Sequence, residues 1–178
     1  MVDGIGNSDG NGDGLHAARA REQVLPAGLA KPLAPPLTDA LAARLPELLA
    51  AAAAARDRAH APYSQFKVGA VLIDDQGRIH AGCNVENAAY PQGVCAEAGA
   101  LSAMVLAGGR SLQAVLVMGP GPLPITPCGG CRQKLREFGR DDLPILSADV
   151  TGLRAQFTLG ELLPASFGPE FLSIKGAT

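Results

Sequence analysis

Two short stretches put reactive side chains at spacings that chemistry can use. "VCAEAGALSAM" (94–104) sets Cys95 two positions before Glu97 at the head of an Ala-rich run, and "PCGGCRQ" (127–133) carries Cys128 and Cys131. A Cys-x-x-Cys places two sulfurs on one side of a first helical turn, where they can share a metal, and Cys95 can supply a third. Three protein ligands leave one tetrahedral position open, the arrangement of a catalytic rather than a structural zinc. Zinc lowers the pKa of a water in that position to about 7. Glu97 can stand beside such a water and move its proton without being a ligand. That combination suits adding water to an unsaturated carbon and expelling an amine.

Plainer readings compete. A lone Cys-x-x-Cys also serves as a redox pair or as half of a closed zinc site. The first leaves Cys95 and Glu97 without a role, and the second needs a fourth ligand. The remaining thiol, Cys83, falls in the strand-like "HAGCNVE" and reads as a small packing residue of the core. His16, His60 and His80 have no ligand spacing. Ala98 follows Glu97, where a cation would have offset the thiolates and the carboxylate. Arg132 and the positive ends of the two helices remain to compensate the charge of the zinc site.

The whole chain bounds these readings. At 178 residues one domain is expected, with room for a real core. A net charge of −2 gives no basic footprint, so nucleic acid is a poor partner. No run of about eighteen strongly apolar residues suggests a membrane span. The start, "MVDGIGNSDGNGDG", has neither the basic nor the apolar region of a secretory signal, so the four Cys favour metal or catalysis over disulfides, and a cytoplasmic location is expected. Residues 1–37 are rich in Gly, Asp, Ala and Pro and are expected to form a disordered tail, with the domain at 38–178. Asp9, Asn11, Asp13 and Gly14 match the opening of an EF-hand loop, but its last position is Ala20 instead of Glu, and the segment reads as solvated.

The elements that must carry the reactive residues alternate. "LPELLAAAAAARDRAH" predicts a helix beginning at Pro46, with Thr38 capping an extra upstream turn that Pro46 would interrupt. "FKVGAVLID" and "RIHAGCNVE" predict a hairpin. Helices follow at Cys95–Ala107, stopped by Gly108-Gly109, and at Cys128–Phe138. "LQAVLVMG", "LPILSAD" and "RAQFT" read as strands, and Thr158 with Glu161 as a capping box. This alternation implies a layered α/β domain with its sheet covered on both faces.

"CAE" followed by "PCGGCRQ" resembles the zinc-dependent nucleobase deaminases. With "APYSQFKVGAVL" (61–72), "GCNVENAAY" (82–90) and "ELLPASFGP" (161–169), the chain is similar to the short, single-domain cytidine deaminases from about residue 45 to about 170. The resemblance implies a three-layer α/β/α cytidine-deaminase-like fold with a central mixed five-stranded sheet. It implies one Zn2+ per chain on Cys95, Cys128 and Cys131, with Glu97 as the catalytic proton carrier. It also implies hydrolysis of cytidine, and of 2'-deoxycytidine, in pyrimidine salvage. By the same resemblance Asn84 and Glu86 hold the ribose, Phe66 packs on the pyrimidine, and main chain at Ala96 reads the base edge. Tyr90 and Phe167 match residues that reach a neighbouring subunit's site, which implies a homotetramer with shared sites. The family usually has Arg where this chain has Ala98; Arg132 matches a second Arg of the family. The nearest rival is an antibiotic-nucleoside deaminase of the blasticidin type, against which "NVENAAY", with its sugar contacts, argues.

Overall fold

The computed structural model describes residues 37–121 and 123–172; the expected tail up to residue 36, with its calcium-like stretch, lies outside them, while Leu37, its last residue, packs on the core of the domain. Helix α1 (Asp39–Asp57) precedes a hairpin of β1 (Gly69–Asp74) and β2 (Ile79–Cys83). Helix α2 (Ala96–Leu106), strand β3 (Leu112–Met118) and helix α3 (Gly129–Arg136) follow. Strands β4 (Pro144–Asp149) and β5 (Gly152–Thr158) and the short helix α4 (Leu159–Leu162) complete the domain. Single 3-10 turns lie at Tyr90–Gln92 and Pro169–Leu172.

The five strands form one mixed sheet in the order β2-β1-β3-β4-β5, antiparallel except for β3 against β4. Strand β3 shows why both faces must be covered. Val115 and Val117 join a core with Leu72, Ala100, Met104, Leu135 and Ile145, under α2 and α3. Ala114, Leu116 and Met118 join a second core with Leu48, Ala52, Val71 and Leu146, under α1. Alternate side chains of a strand point to opposite faces, so an unbroken apolar strand must lie between two helical layers. The result is the three-layer α/β/α arrangement.

Helix α1 departs from the sequence expectation. It runs 19 residues without interruption from the Thr38 cap, whose Oγ1 accepts from Leu41 N, straight through Pro46. An interior proline costs about 3 kcal/mol. The apolar stripe Leu41, Leu45, Leu48 and Ala52 spans it and packs on the sheet. Each buried Leu returns about 1.5–3 kcal/mol, so packing carries the helix across the break. Elsewhere the boundaries follow the sequence: Gly108, at φ 85°, stops α2, and Thr158 and Glu161 form a complete capping box. Among the described residues no helix is long and apolar enough to cross a membrane.

Two glycines set how closely the helices approach the hairpin. A Cβ on Gly69 would lie 2.2 Å from Ala52 O, and one on Gly82 would lie 2.3 Å from Ala100 N and 2.4 Å from Ala96 O. The bare backbone at Gly82 lets the first turns of α2 sit directly on β2, which fixes the position of the α2 N-terminus.

Candidate active site

Cys95 and Cys128 are the N-cap residues of α2 and α3, and neither thiol caps its own helix. They face each other instead, with Sγ atoms 3.7 Å apart. Cys131, buried in the first turn of α3, completes a cluster whose three Sγ atoms lie within 4.8 Å of one another. A tetrahedral zinc with bonds of about 2.3 Å has sulfur–sulfur edges of about 3.8 Å, so the Cys95–Cys128 separation fits the metal without rearrangement. Cys83 stays outside the cluster and is half-buried on β2, less enclosed than a core thiol.

Glu97, second residue of α2, is 5% exposed. Burial pushes its carboxyl above the usual range; its own backbone N–H, the Cys131 thiol and the Lys134 charge oppose that shift. Burial and the hydrogen bond to Cys128 push the Cys95 thiol up. Cys131 is driven far up by burial and by the neighbouring Glu97 charge. Cys128 goes the other way: burial raises it, but the Cys131 backbone N–H and the two other thiols reverse the shift. Three sulfurs and a carboxyl this close repel one another as anions, and a divalent cation relieves that repulsion. The two helix N-termini add partial positive charge and first-turn N–H donors. The donor set therefore fits zinc.

A pocket of about 520 Å³ opens beside Cys95, bounded by Asn84, Glu86, Tyr63 and Tyr90. Its walls are held by backbone pairing. Val85 and Val94 exchange hydrogen bonds of 2.9 Å, closing the loop that carries Tyr90. On the other side His60 N donates to Asn84 O and Glu86 N donates to His60 O, laying the start of the 60–68 turn along the exit of β2. Asn84 Oδ1 accepts from Val68 N and its Nδ2 donates to Phe66 O. Glu86 Oε2 accepts from Tyr63 N and Ser64 N, and Oε1 accepts from the Ser64 hydroxyl.

The residues named from sequence thus fall into two groups. Cys95, Cys128, Cys131 and Glu97 gather at one point, with the buried Ala96 beside them, and Asn84, Glu86 and Tyr90 border the pocket next to it. Phe66 and Phe167 do not line the pocket. Phe66 is 43% exposed, and Phe167 stacks on Phe171 with ring centres 5.2 Å apart. Tyr90 meets Tyr63 edge-on but remains 76% exposed. The guanidinium of Arg132 donates to Pro127 O, Leu162 O and Thr126 Oγ1, so it braces the chain leading into Cys128 and not a sulfur. Two residues escaped the sequence reading. Lys134 places its ammonium 3.4 Å from Gly130 O, over the first turn of α3. Ser64, in a Pro-Tyr-Ser turn where a hydroxyl commonly bonds nearby main chain, ties Glu86 to Phe66 N.

Comparison with known proteins agrees with this geometry. The family model for the cytidine and deoxycytidylate deaminase zinc-binding region matches residues 44–147. A cytidine deaminase of Sporosarcina psychrophila is 40% identical over 127 residues, covering 71% of this chain and 93% of that protein. One from Mycobacterium tuberculosis is 43% identical over 111 residues, covering 62% of this chain and 79% of that protein. The crystal structure of cytidine deaminase from Burkholderia pseudomallei superposes with a TM-score of 0.64 at 44% identity, covering 68% of this chain and 97% of that one.

Proposed function

The chain belongs to the cytidine and deoxycytidylate deaminase family, and from that premise we propose that it hydrolyses cytidine, and 2'-deoxycytidine, to the uridine counterpart and ammonia. The observation that carries this reading is Glu97, buried against a three-thiol cluster beside a pocket bordered by Asn84 and Glu86. Cys95, Cys128 and Cys131 would hold zinc, which when bound would supply a Lewis acid that lowers the pKa of water to about 7.

The chain's own residues do the rest. Glu97 takes a proton from the attacking water and delivers it to N3 of the pyrimidine. Once the water oxygen has bonded to C4, Glu97 takes the remaining proton from that oxygen and carries it to the departing amine as the C4–N4 bond breaks and the C4 carbonyl forms. A carboxyl raised by burial suits both directions of transfer, because a proton carrier works best near the operating pH. The N–H groups at the head of α2, Ala96 included, meet the base edge. Asn84 and Glu86, on the pocket wall, offer an amide and a carboxylate to the ribose hydroxyls, and Phe66, exposed just outside that wall, is assigned the flat apolar face that meets the base. The exposure of Tyr90 and Phe167 supports a homotetramer in which they complete a neighbouring subunit's site. The setting proposed is pyrimidine salvage in the cytoplasm, with no nucleic-acid or membrane partner. A blasticidin-type substrate is not favoured, since the Asn84–Glu86 edge suits a ribose. Incubating the purified protein with cytidine tests the reading: the ultraviolet spectrum is expected to shift to that of uridine with equimolar ammonia. An unchanged spectrum with zinc-loaded protein overturns it.

A further inference from the structure

The turn between Ala61 and Val68 is fixed at both ends and strained in the middle. His60 is paired with Asn84 and Glu86, and Val68 O accepts from Asn84 N. Between them Gln65 lies at φ 57°, a left-handed conformation that crowds the Cβ of an ordinary L-residue. Such a residue persists only where its surroundings over-determine it. The group that spans it is Ser64: its Oγ accepts from Phe66 N at 3.0 Å, across Gln65, while its hydroxyl hydrogen is donated to Glu86 Oε1. Gln65 adds a bond from its Nε2 to Pro62 O at 2.8 Å.

An ionised carboxylate has about four acceptor sites. In Glu86 two are taken by the N–H groups of Tyr63 and Ser64 and one by the Ser64 hydroxyl, which leaves about one for a ligand hydroxyl in the pocket. The same Ser64 oxygen fixes the backbone on which the Phe66 ring stands.

We infer that Ser64 is a positioning residue that couples the pocket-lining carboxylate of Glu86, assigned above to the sugar, to the backbone of Phe66, assigned above to the base, so that both halves of a nucleoside are recognised as one unit. This rests on the substrate reading above. Removing the hydroxyl releases Oε1 of Glu86, leaving the carboxylate held through Oε2 alone, and lets the strained turn relax, and both changes weaken nucleoside binding without touching the thiol cluster or Glu97.

The test is steady-state kinetics on cytidine with zinc content for the intact chain, Ser64→Ala, Ser64→Thr, Glu86→Gln and the Ser64→Ala/Glu86→Gln double variant. Ser64→Ala is expected to raise KM about tenfold, with kcat within about twofold and zinc retained. Ser64→Thr, which keeps a hydroxyl, is expected to recover most of that loss. In the Glu86→Gln background the Ser64→Ala effect is expected to shrink well below its single-variant value, the signature of two coupled residues. A Ser64→Ala enzyme with unchanged KM, beside a Glu86→Gln enzyme with raised KM, overturns the role of Ser64 and leaves the substrate reading standing. Fully multiplicative effects, or a loss confined to kcat or zinc, overturn it as well. No effect of Glu86→Gln on KM, or no turnover by the intact chain, overturns the substrate reading and this inference with it.

Discussion

Two buried carboxyls sit at opposite ends of helix α2, Glu97 within its first turn and Asp74, on the hairpin, beside its C-terminus. Asp74, at the far end of β1, is fully enclosed. Its Oδ1 accepts from Gln76 N and Arg78 N, and its Oδ2 from Arg78 Nε at 2.7 Å and His80 Nε2 at 2.8 Å. Arg78 also donates to Ala107 O, which ties this cluster to the end of α2. Burial alone would raise the Asp74 pKa, but these donors outweigh it and hold the group well below the usual carboxylate range. Glu97, at the head of α2, is nearly as buried yet has far fewer donors, and its pKa moves upward. A carboxyl whose acceptor sites are all filled is a structural anion. One that is buried and under-served can exchange a proton, which is what catalysis requires.

Exchanging each carboxyl for its amide sharpens the contrast. Glu97→Gln is expected to produce the largest effect: zinc content and melting temperature close to those of the native chain, with turnover reduced by at least about 10²–10⁴-fold. Near-native turnover would remove Glu97 from the chemistry. Asp74→Asn is expected to do the reverse, lowering stability by about 3–5 kcal/mol in denaturant while turnover per folded molecule is unchanged. The sign of its pH dependence follows from the depressed pKa. The stability from Asp74 is complete above the unfolded value of 3.8 and disappears as pH falls through the lower folded value. Acid unfolding is therefore expected to be shallower in Asp74→Asn, and an identical acid profile would show that Asp74 is not the group involved.

A smaller effect is expected at Arg132. Its three bonds hold the chain entering Cys128, so Arg132→Gln is expected to cost about 1–3 kcal/mol and to weaken zinc retention, measured by competition with a chelator. The exposed Arg110→Gln serves as control, and equal behaviour of the two would show that the loop is held by other contacts. Smallest of all, deletion of residues 1–37 is expected to leave zinc content and cytidine turnover unchanged; a truncated chain that folds and binds zinc but no longer turns over would assign that segment a part in the chemistry.

What the sequence disclosed and what it concealed divide along the distance between partners. Cys128 and Cys131 share one helical turn, and Cys95 and Glu97 one helix start, so local spacing revealed them. Thr158 and Glu161 are three apart, and their capping box was equally legible. Pro46 misled because it reads locally as a helix start, whereas the stripe from Leu41 to Ala52 acquires its force only against the sheet. Ser64 was hidden because its partner Glu86 lies 22 residues away, and only the pairing of His60 with β2's exit brings them together. Arg132 was noticed, but the carbonyl of Leu162, 30 residues on, accounts for its orientation and is invisible to spacing.

The most direct measurement is a zinc titration read in two ways on one sample. The chain is stripped with a chelator, zinc is returned in steps, and bound metal and uridine formation are followed together. The account predicts that turnover rises in proportion to bound zinc and levels off at one per chain, for the native sequence and for Cys83→Ala alike, while Cys128→Ala neither holds the metal nor turns over. Full turnover by the stripped protein, or equal zinc retention by Cys128→Ala, would contradict it.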